Sequence, residues 1–153
     1  MTRAGVPPLT QRSLLDAVQE LAKADPALAS SVERFGPPPL WAREPSFATL
    51  VHLILEQQVS LASARASFDR LDAALDGDIG PKGLLALSDA ELRTIGFSRQ
   101  KAGYARHLSV ALADGFDLDG LTRLPDDEVR AGLMRLRGIG RWTADIYLIM
   151  CLR

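Results

Sequence analysis

Apolar residues recur three and four positions apart through most of this chain, and that period predicts helices rather than strands. Leu14, Leu15, Val18, Leu21 and Ala22 share one face of the stretch Thr10–Ala24. Asp25-Pro26 closes it and opens a second helix, with Asp25 as cap and Pro26 in the first turn. Gly36-Pro37-Pro38-Pro39 breaks the chain. Pro45 and Ser46 start a helix with one apolar stripe, Phe47, Leu50, Val51, Ile54 and Leu55, which Gln57-Gln58-Val59-Ser60 interrupts. Ser60 caps a further helix to about Leu75.

Asp76-Gly77-Asp78-Ile79-Gly80-Pro81 is a turn cluster, and Ser88-Asp89-Ala90-Glu91 fits a capping box that opens a short helix ended by Gly96. Ser98 starts another helix, to about Ala113. A loop follows from Gly115 to Pro125, then a helix over 126–135, then a last one from Arg141 to the end. There is no alternating strand pattern, long repeat or low-complexity tract. The expected fold is all-α, with many short helices joined by tight turns.

Length and composition narrow the class. The chain has 153 residues, about one domain. At 47% hydrophobic and 24% charged it is too apolar for wholesale disorder. Its apolar runs fall short of the ~18 residues a membrane span requires, so no membrane partner is expected. The N-terminus lacks the succession of a secretory signal. Cys151 alone allows neither an internal disulfide nor an all-cysteine metal site. These features point to an intracellular protein, cytoplasmic or nucleoid-associated; a monomer is expected, although no residue pattern sets the oligomeric state.

The formal net charge of −1 excludes a uniformly basic coat. Its distribution is uneven, about −4 over residues 1–92 and +3 over 93–153. Arg130, Arg135, Arg137 and Arg141 occur with no acid between Val129 and Ala144. That is either a focused anion-binding patch or an ordinary solvated face.

The patch surrounds Leu133-Met134-Arg135-Leu136-Arg137-Gly138-Ile139-Gly140-Arg141-Trp142-Thr143-Ala144. One helix ends near Leu136 and the next starts about four residues later. Gly138 and Gly140 permit backbone angles and close approach that side chains forbid. Ile139 between them can turn inward as a plug. Unpaired N–H groups at the start of the last helix would suit a phosphate, with Arg137 and Arg141 beside it. A lone Gly-x-Gly could equally be a plain helix–helix turn.

The whole pattern, with Leu133-x-x-Leu136 before it and Trp142-Thr143-Ala144 after it, resembles the helix-hairpin-helix element of the base-excision DNA glycosylase superfamily. It is most similar to the DNA-3-methyladenine glycosylase II branch. Two further stretches carry the resemblance: Ile54–Ala64 with its paired glutamines, and Gly96-Phe97-Ser98-Arg99-Gln100-Lys101-Ala102 followed by Tyr104. The likeness spans approximately 40–153, with the hairpin at about 133–144. The prefix 1–39 has no clear match.

The resemblance implies base-excision repair: monofunctional hydrolysis of the N-glycosidic bond, releasing alkylated purines such as 3-methyladenine from double-stranded DNA. The target nucleotide is swung out of the stack. Gln58 matches the wedge that fills the gap, or is a loop glutamine serving local backbone, and Gln57 braces that loop. Trp142 stands where bifunctional members carry a nucleophilic lysine. Having no amine, it excludes that covalent route at this position. It lines the base pocket, where an indole face attracts a cationic alkylated base by about 0.5–2 kcal/mol, or else is a core aromatic. Gly138, Ile139, Gly140, Arg141 and Thr143 match the phosphate-binding positions. Backbone oxygens of Met134, Leu136 and Ile139 match those that hold a K+ or Na+ ion when DNA is bound. No cofactor is required, and no iron–sulfur cluster is evident. Asp145 is expected in a local hydrogen-bonding role, and His52 and His107 in no chemical one.

The branch's catalytic Asp lies about twenty residues beyond the hairpin Trp, which here would fall past Arg153. The expectation is a glycosylase-like fold incomplete at its C-terminus, with no catalytic residue in the chain and little activity of its own. The final helix, with Ile146, Tyr147, Ile149, Met150 and Leu152, is expected to expose an apolar patch. The competing readings are a non-catalytic helix-hairpin-helix DNA-binding module and a helical interaction protein whose hairpin is only structural.

Overall fold

Short polar side chains set where the helices begin. In a computed structural model, which describes residues 8–153, Thr10, Asp25, Ser46, Ser60, Ser88 and Ser98 each accept a first-turn backbone N–H. They open α1 (Gln11–Ala24), α2 (Pro26–Phe35), α3 (Phe47–Glu56), α4 (Leu61–Ala74), α6 (Asp89–Ile95) and α7 (Arg99–Ala113). Between these capped helices lies α5 (Pro81–Ala86), which starts at Pro81 within the expected turn cluster. The expected loop after Gly115 contains a single turn, α8 (Leu118–Leu121), capped by Asp117. Both elements are too short to show a helical period. α9 (Asp126–Met134) and α10 (Arg141–Tyr147) complete the order, and a π-helical turn over Leu148–Leu152 continues α10. No strand occurs among the described residues.

α3 is buried all round, not along one stripe. Phe47, Leu50, Val51, Leu53, Ile54 and Leu55 are core, and so are Thr49 and His52. Such a helix must be enclosed by others, and α4, α7 and α10 pack around it. α5 lies on α7, and α9 on α10 and the π turn. The expected 1–39 stretch begins with seven residues outside the described ones. Its helices α1 and α2 pack on each other and bury no residue, so the 40–153 part holds the core.

The expected apolar patch at the C-terminus is largely absent. Tyr147, Leu148 and Cys151 are buried, and Ile146, Met150 and Leu152 are half-buried; of this group only Ile149 is exposed. α3 and α9 pack on α10, and α9 also on the π turn, while the chain before α3 and before α1 is tied to its end. The Arg43 N–H donates to the Met150 carbonyl at 2.9 Å, and the Leu9 N–H to the Arg153 carbonyl at 3.1 Å. No helix among the described residues is long and apolar enough to cross a membrane.

Candidate nucleic-acid interface

The hairpin joins α9 to α10 through a tightly wound link. The Leu136 N–H donates to the Leu133 carbonyl at 3.0 Å, and the Ile139 N–H to the Leu136 carbonyl at 3.1 Å. Ile139 is buried as the inward plug. The two glycines have different reasons to be there. Gly138 sits at φ +89°, and a Cβ on it would fall 2.3 Å from Cγ of Tyr104 on α7. Gly140 has φ −87° and ψ 177°, ordinary extended backbone, and a Cβ there would meet nothing within 4 Å. The fold therefore requires the first glycine and not the second. No side chain caps α10, which leaves its first-turn N–H groups to an external acceptor.

The Gln57–Ser60 link sits against this hairpin. Gln57 Nε2 donates to the Gly138 carbonyl at 2.9 Å and to Thr143 Oγ1 at 3.3 Å. It thereby braces its loop against the hairpin, 81 residues away. Thr143 is buried with its hydroxyl on Gln57, so its backbone N–H is what it can offer a phosphate. Gln58 is exposed and takes φ +56°, a left-handed conformation uncommon for a residue with a Cβ.

Trp142 is 63% exposed, which excludes a core role. Gln58 and Trp142 are the chain neighbours of Gln57 and Thr143. The bond between those two brings the loop and the start of α10 together, with both large side chains left in solvent.

The arginine run is not one patch. Arg130 Nε bonds Asp145 Oδ1 at 2.6 Å, and its Nη1 bonds Asp127 Oδ1 at 2.5 Å. The Asp145 hydrogen bond raises the arginine's pKa further. Asp145 thus has the local role expected of it. Arg141 is exposed, 3.7 Å from the other Asp145 oxygen. Arg135 and Arg137 are exposed as well.

Lys101 and Tyr104, named above only as part of the resemblance, and Arg43 have tertiary partners that the sequence does not reveal. Lys101 of α7 sends its ammonium onto the Leu55 carbonyl at 2.6 Å, and burial lowers its pKa. Tyr104 of the same helix packs on Gly138. Arg43 holds the buried carboxylate of Glu56 with its two terminal guanidinium nitrogens, at 2.6 and 3.3 Å. Each lies in a stretch with a helical or turn pattern, which hides a tertiary partner. Among the described residues no group of three His, Cys, Asp or Glu side chains could hold a metal. The Leu136 carbonyl accepts from Ile139 and keeps a second lone pair, so it can still join Met134 and Ile139 in an oxygen site for an alkali cation.

Residues 51–148 match the model of the HhH-GPD superfamily base excision DNA repair proteins. The chain is similar to the DNA-3-methyladenine glycosylase of Bacillus subtilis, 27% identical over 146 residues, covering 88% of this chain and 48% of that protein. The 3-methyladenine DNA glycosylase of Schizosaccharomyces pombe, solved with abasic DNA, superposes with a TM-score of 0.79 at 25% identity, covering 90% of this chain and 70% of that one. The DNA-3-methyladenine glycosidase of Bacillus halodurans gives a TM-score of 0.70 at 31% identity, covering 88% and 63%. The chain spans about half the length of the curated relatives it matches.

Proposed function

We propose that this chain, which belongs to the HhH-GPD superfamily of base excision DNA repair proteins, binds duplex DNA at damaged purines and works in their monofunctional excision. The observation that carries the reading is the bond from Gln57 to Gly138 and Thr143. It ties the loop that carries the exposed wedge candidate, Gln58, to the hairpin that carries the exposed base-pocket candidate, Trp142, and whose second glycine and uncapped helix start suit a phosphate.

The parts divide the work. The Ile139 N–H is spent on the Leu136 carbonyl, so the backbone N–H groups of Gly138, Gly140, Arg141 and Thr143 and the Arg141 side chain hold a phosphate, a contact that positions without reading sequence. A K+ or Na+ ion on the carbonyl oxygens of Met134, Leu136 and Ile139 would add positive charge beside it. Gln58 enters the stack where the nucleotide has left it. The Trp142 indole receives the extruded base and favours one made cationic by alkylation. Gln57 acts from behind the surface.

Excision hydrolyses the N-glycosidic bond, releases the base and leaves an abasic site. Trp142 offers no amine for a Schiff base, so the strand stays uncut. Hydrolysis also needs a carboxylate, which the resemblance places about twenty residues past Trp142. DNA binding is proposed for these 153 residues. Release of alkylated purines is proposed for the protein in which that carboxylate is present.

The deciding experiment compares affinity for duplex containing an abasic-site analogue with affinity for intact duplex at one salt concentration. The parent should prefer the abasic duplex, Gln58→Ala should lose that preference, and both should bind intact duplex alike. A parent that binds both duplexes equally is a plain helix-hairpin-helix binding module. A parent that binds neither is a helical interaction protein.

A further inference from the structure

α3 ends where the wedge loop begins, so whatever holds that end sets where Gln58 points. The last four carbonyls of a helix have no intrahelical donor, and a cation is favoured beside them. At the end of α3 the Leu55 carbonyl is met by Lys101 Nζ at 2.6 Å. Leu55 is fully buried and Lys101 half-buried, so the ammonium is directed into the protein, not out toward a phosphate. Three residues on from Leu55 the backbone turns left-handed at Gln58. Nothing in the residue type favours that turn, which costs roughly 1–2 kcal/mol for a residue with a Cβ. It persists where surrounding contacts over-determine it.

Those contacts come from three directions. Gln57 ties the loop to the hairpin. Ser60 closes it by capping α4. Lys101 clamps the helix end on the remaining side, and its own position is set by the Ser98 cap, whose Oγ accepts the Lys101 N–H at 3.2 Å. One turn further along, Tyr104 packs on Gly138. α7 therefore touches both the end of α3, where the loop begins, and the hairpin.

We propose that Lys101 is a positioning residue that holds Gln58 in its left-handed, outward pose by clamping the Leu55 carbonyl at the end of α3. The proposal rests on the reading of Gln58 as the wedge. It assigns Lys101 no contact with DNA. Its effect passes through the loop, so it should appear only where a gap is to be filled.

Lys101→Met keeps the apolar stem and removes the ammonium, while Lys101→Arg keeps a cation. Two measurements on the 153-residue chain decide the matter: binding to abasic-analogue and intact duplex over a salt series, and amide hydrogen exchange across residues 56–60 without DNA. Lys101→Met should lose roughly fivefold or more of the preference for the abasic duplex, on the scale of one charge-assisted hydrogen bond. Intact-duplex affinity and its salt slope should not change. Exchange across 56–60 should speed up while the core helices keep their protection. Lys101→Arg should recover part of each effect, and adding Lys101→Met to Gln58→Ala should cost nothing further in binding.

Equal losses on both duplexes with a shallower salt slope would make Lys101 a phosphate contact and overturn the proposal. Unchanged exchange across 56–60 would overturn it as well, whatever the DNA does. If the parent shows no preference for the abasic duplex, the wedge reading fails by itself. The exchange arm then still decides whether Lys101 holds the loop.

Discussion

The side-chain amide of Gln57 reaches 2.9 Å to the carbonyl of Gly138, closing 81 residues of chain with one hydrogen bond. A single side chain thereby couples the loop that carries Gln58 to the hairpin that carries Trp142. Gln57→Leu would leave the half-buried Gly138 carbonyl and the buried Thr143 hydroxyl without this donor. The expected loss is about 1–2 kcal/mol. Gln58→Ala, a change to an exposed residue, should stay within about 0.5 kcal/mol. Urea unfolding of both variants checks the contrast, and equal losses would contradict the coupling.

The hairpin glycines should separate into two phenotypes. Gly138→Ala meets both a positive φ and the Tyr104 ring, and a destabilisation of about 2 kcal/mol or more is expected. Gly140→Ala meets neither, so its melting temperature should match the parent's while duplex affinity falls. Thermal melts paired with anisotropy titrations test this. Unchanged affinity in Gly140→Ala would remove the close backbone approach from the proposed interface.

Tyr147 is fully buried, and its hydroxyl has no hydrogen-bond partner. Burial also raises its pKa, because the phenolate would be still less tolerable there. A buried donor left unsatisfied costs about 1–3 kcal/mol. Tyr147→Phe keeps the ring and should be neutral or stabilising, read as an unchanged or higher urea midpoint. A clear loss of stability would mean that the hydroxyl is satisfied in solution.

His52 stacks on Phe68 with ring centroids 4.2 Å apart, and its pKa lies below the ordinary 6.5. Burial is the largest cause; Arg43 and Arg65 also lower it, while Glu56 and Asp69 oppose them. A depressed histidine pKa means that the unfolded chain binds the proton first. The stability tied to neutral His52 is therefore complete above pH 6.5 and is lost as pH falls from there toward the folded value. The slope is bounded by about 1.4 kcal/mol per pH unit for one proton. His52→Phe keeps a stacked ring and should flatten the stability profile between pH 7.5 and 5.5. Identical profiles would show that this imidazole does not titrate with folding.

Much of the fold was legible from local chemistry. Ser46, Ser60, Ser88 and Ser98 start helices because a hydroxyl satisfies an N–H two or three residues away, and such short-range bonds are encoded in adjacent letters. The motif order from Gln57-Gln58 through Lys101 to Gly138-x-Gly140 likewise pointed to the superfamily and to the surface it would use. Tertiary structure decided how those motifs act on one another. It turned Gln57 onto the hairpin, sent Lys101 inward onto Leu55, removed Arg130 from the cationic face through Asp127 and Asp145, and gave Gly138 and Gly140 unlike roles. It also buried most of the C-terminal helix against α3 and α9 and tied its end to the backbone of Arg43 and Leu9. Periodicity records which face of a helix is apolar. It is blind to which polar group, dozens of residues away, the packed core will bring within 3 Å.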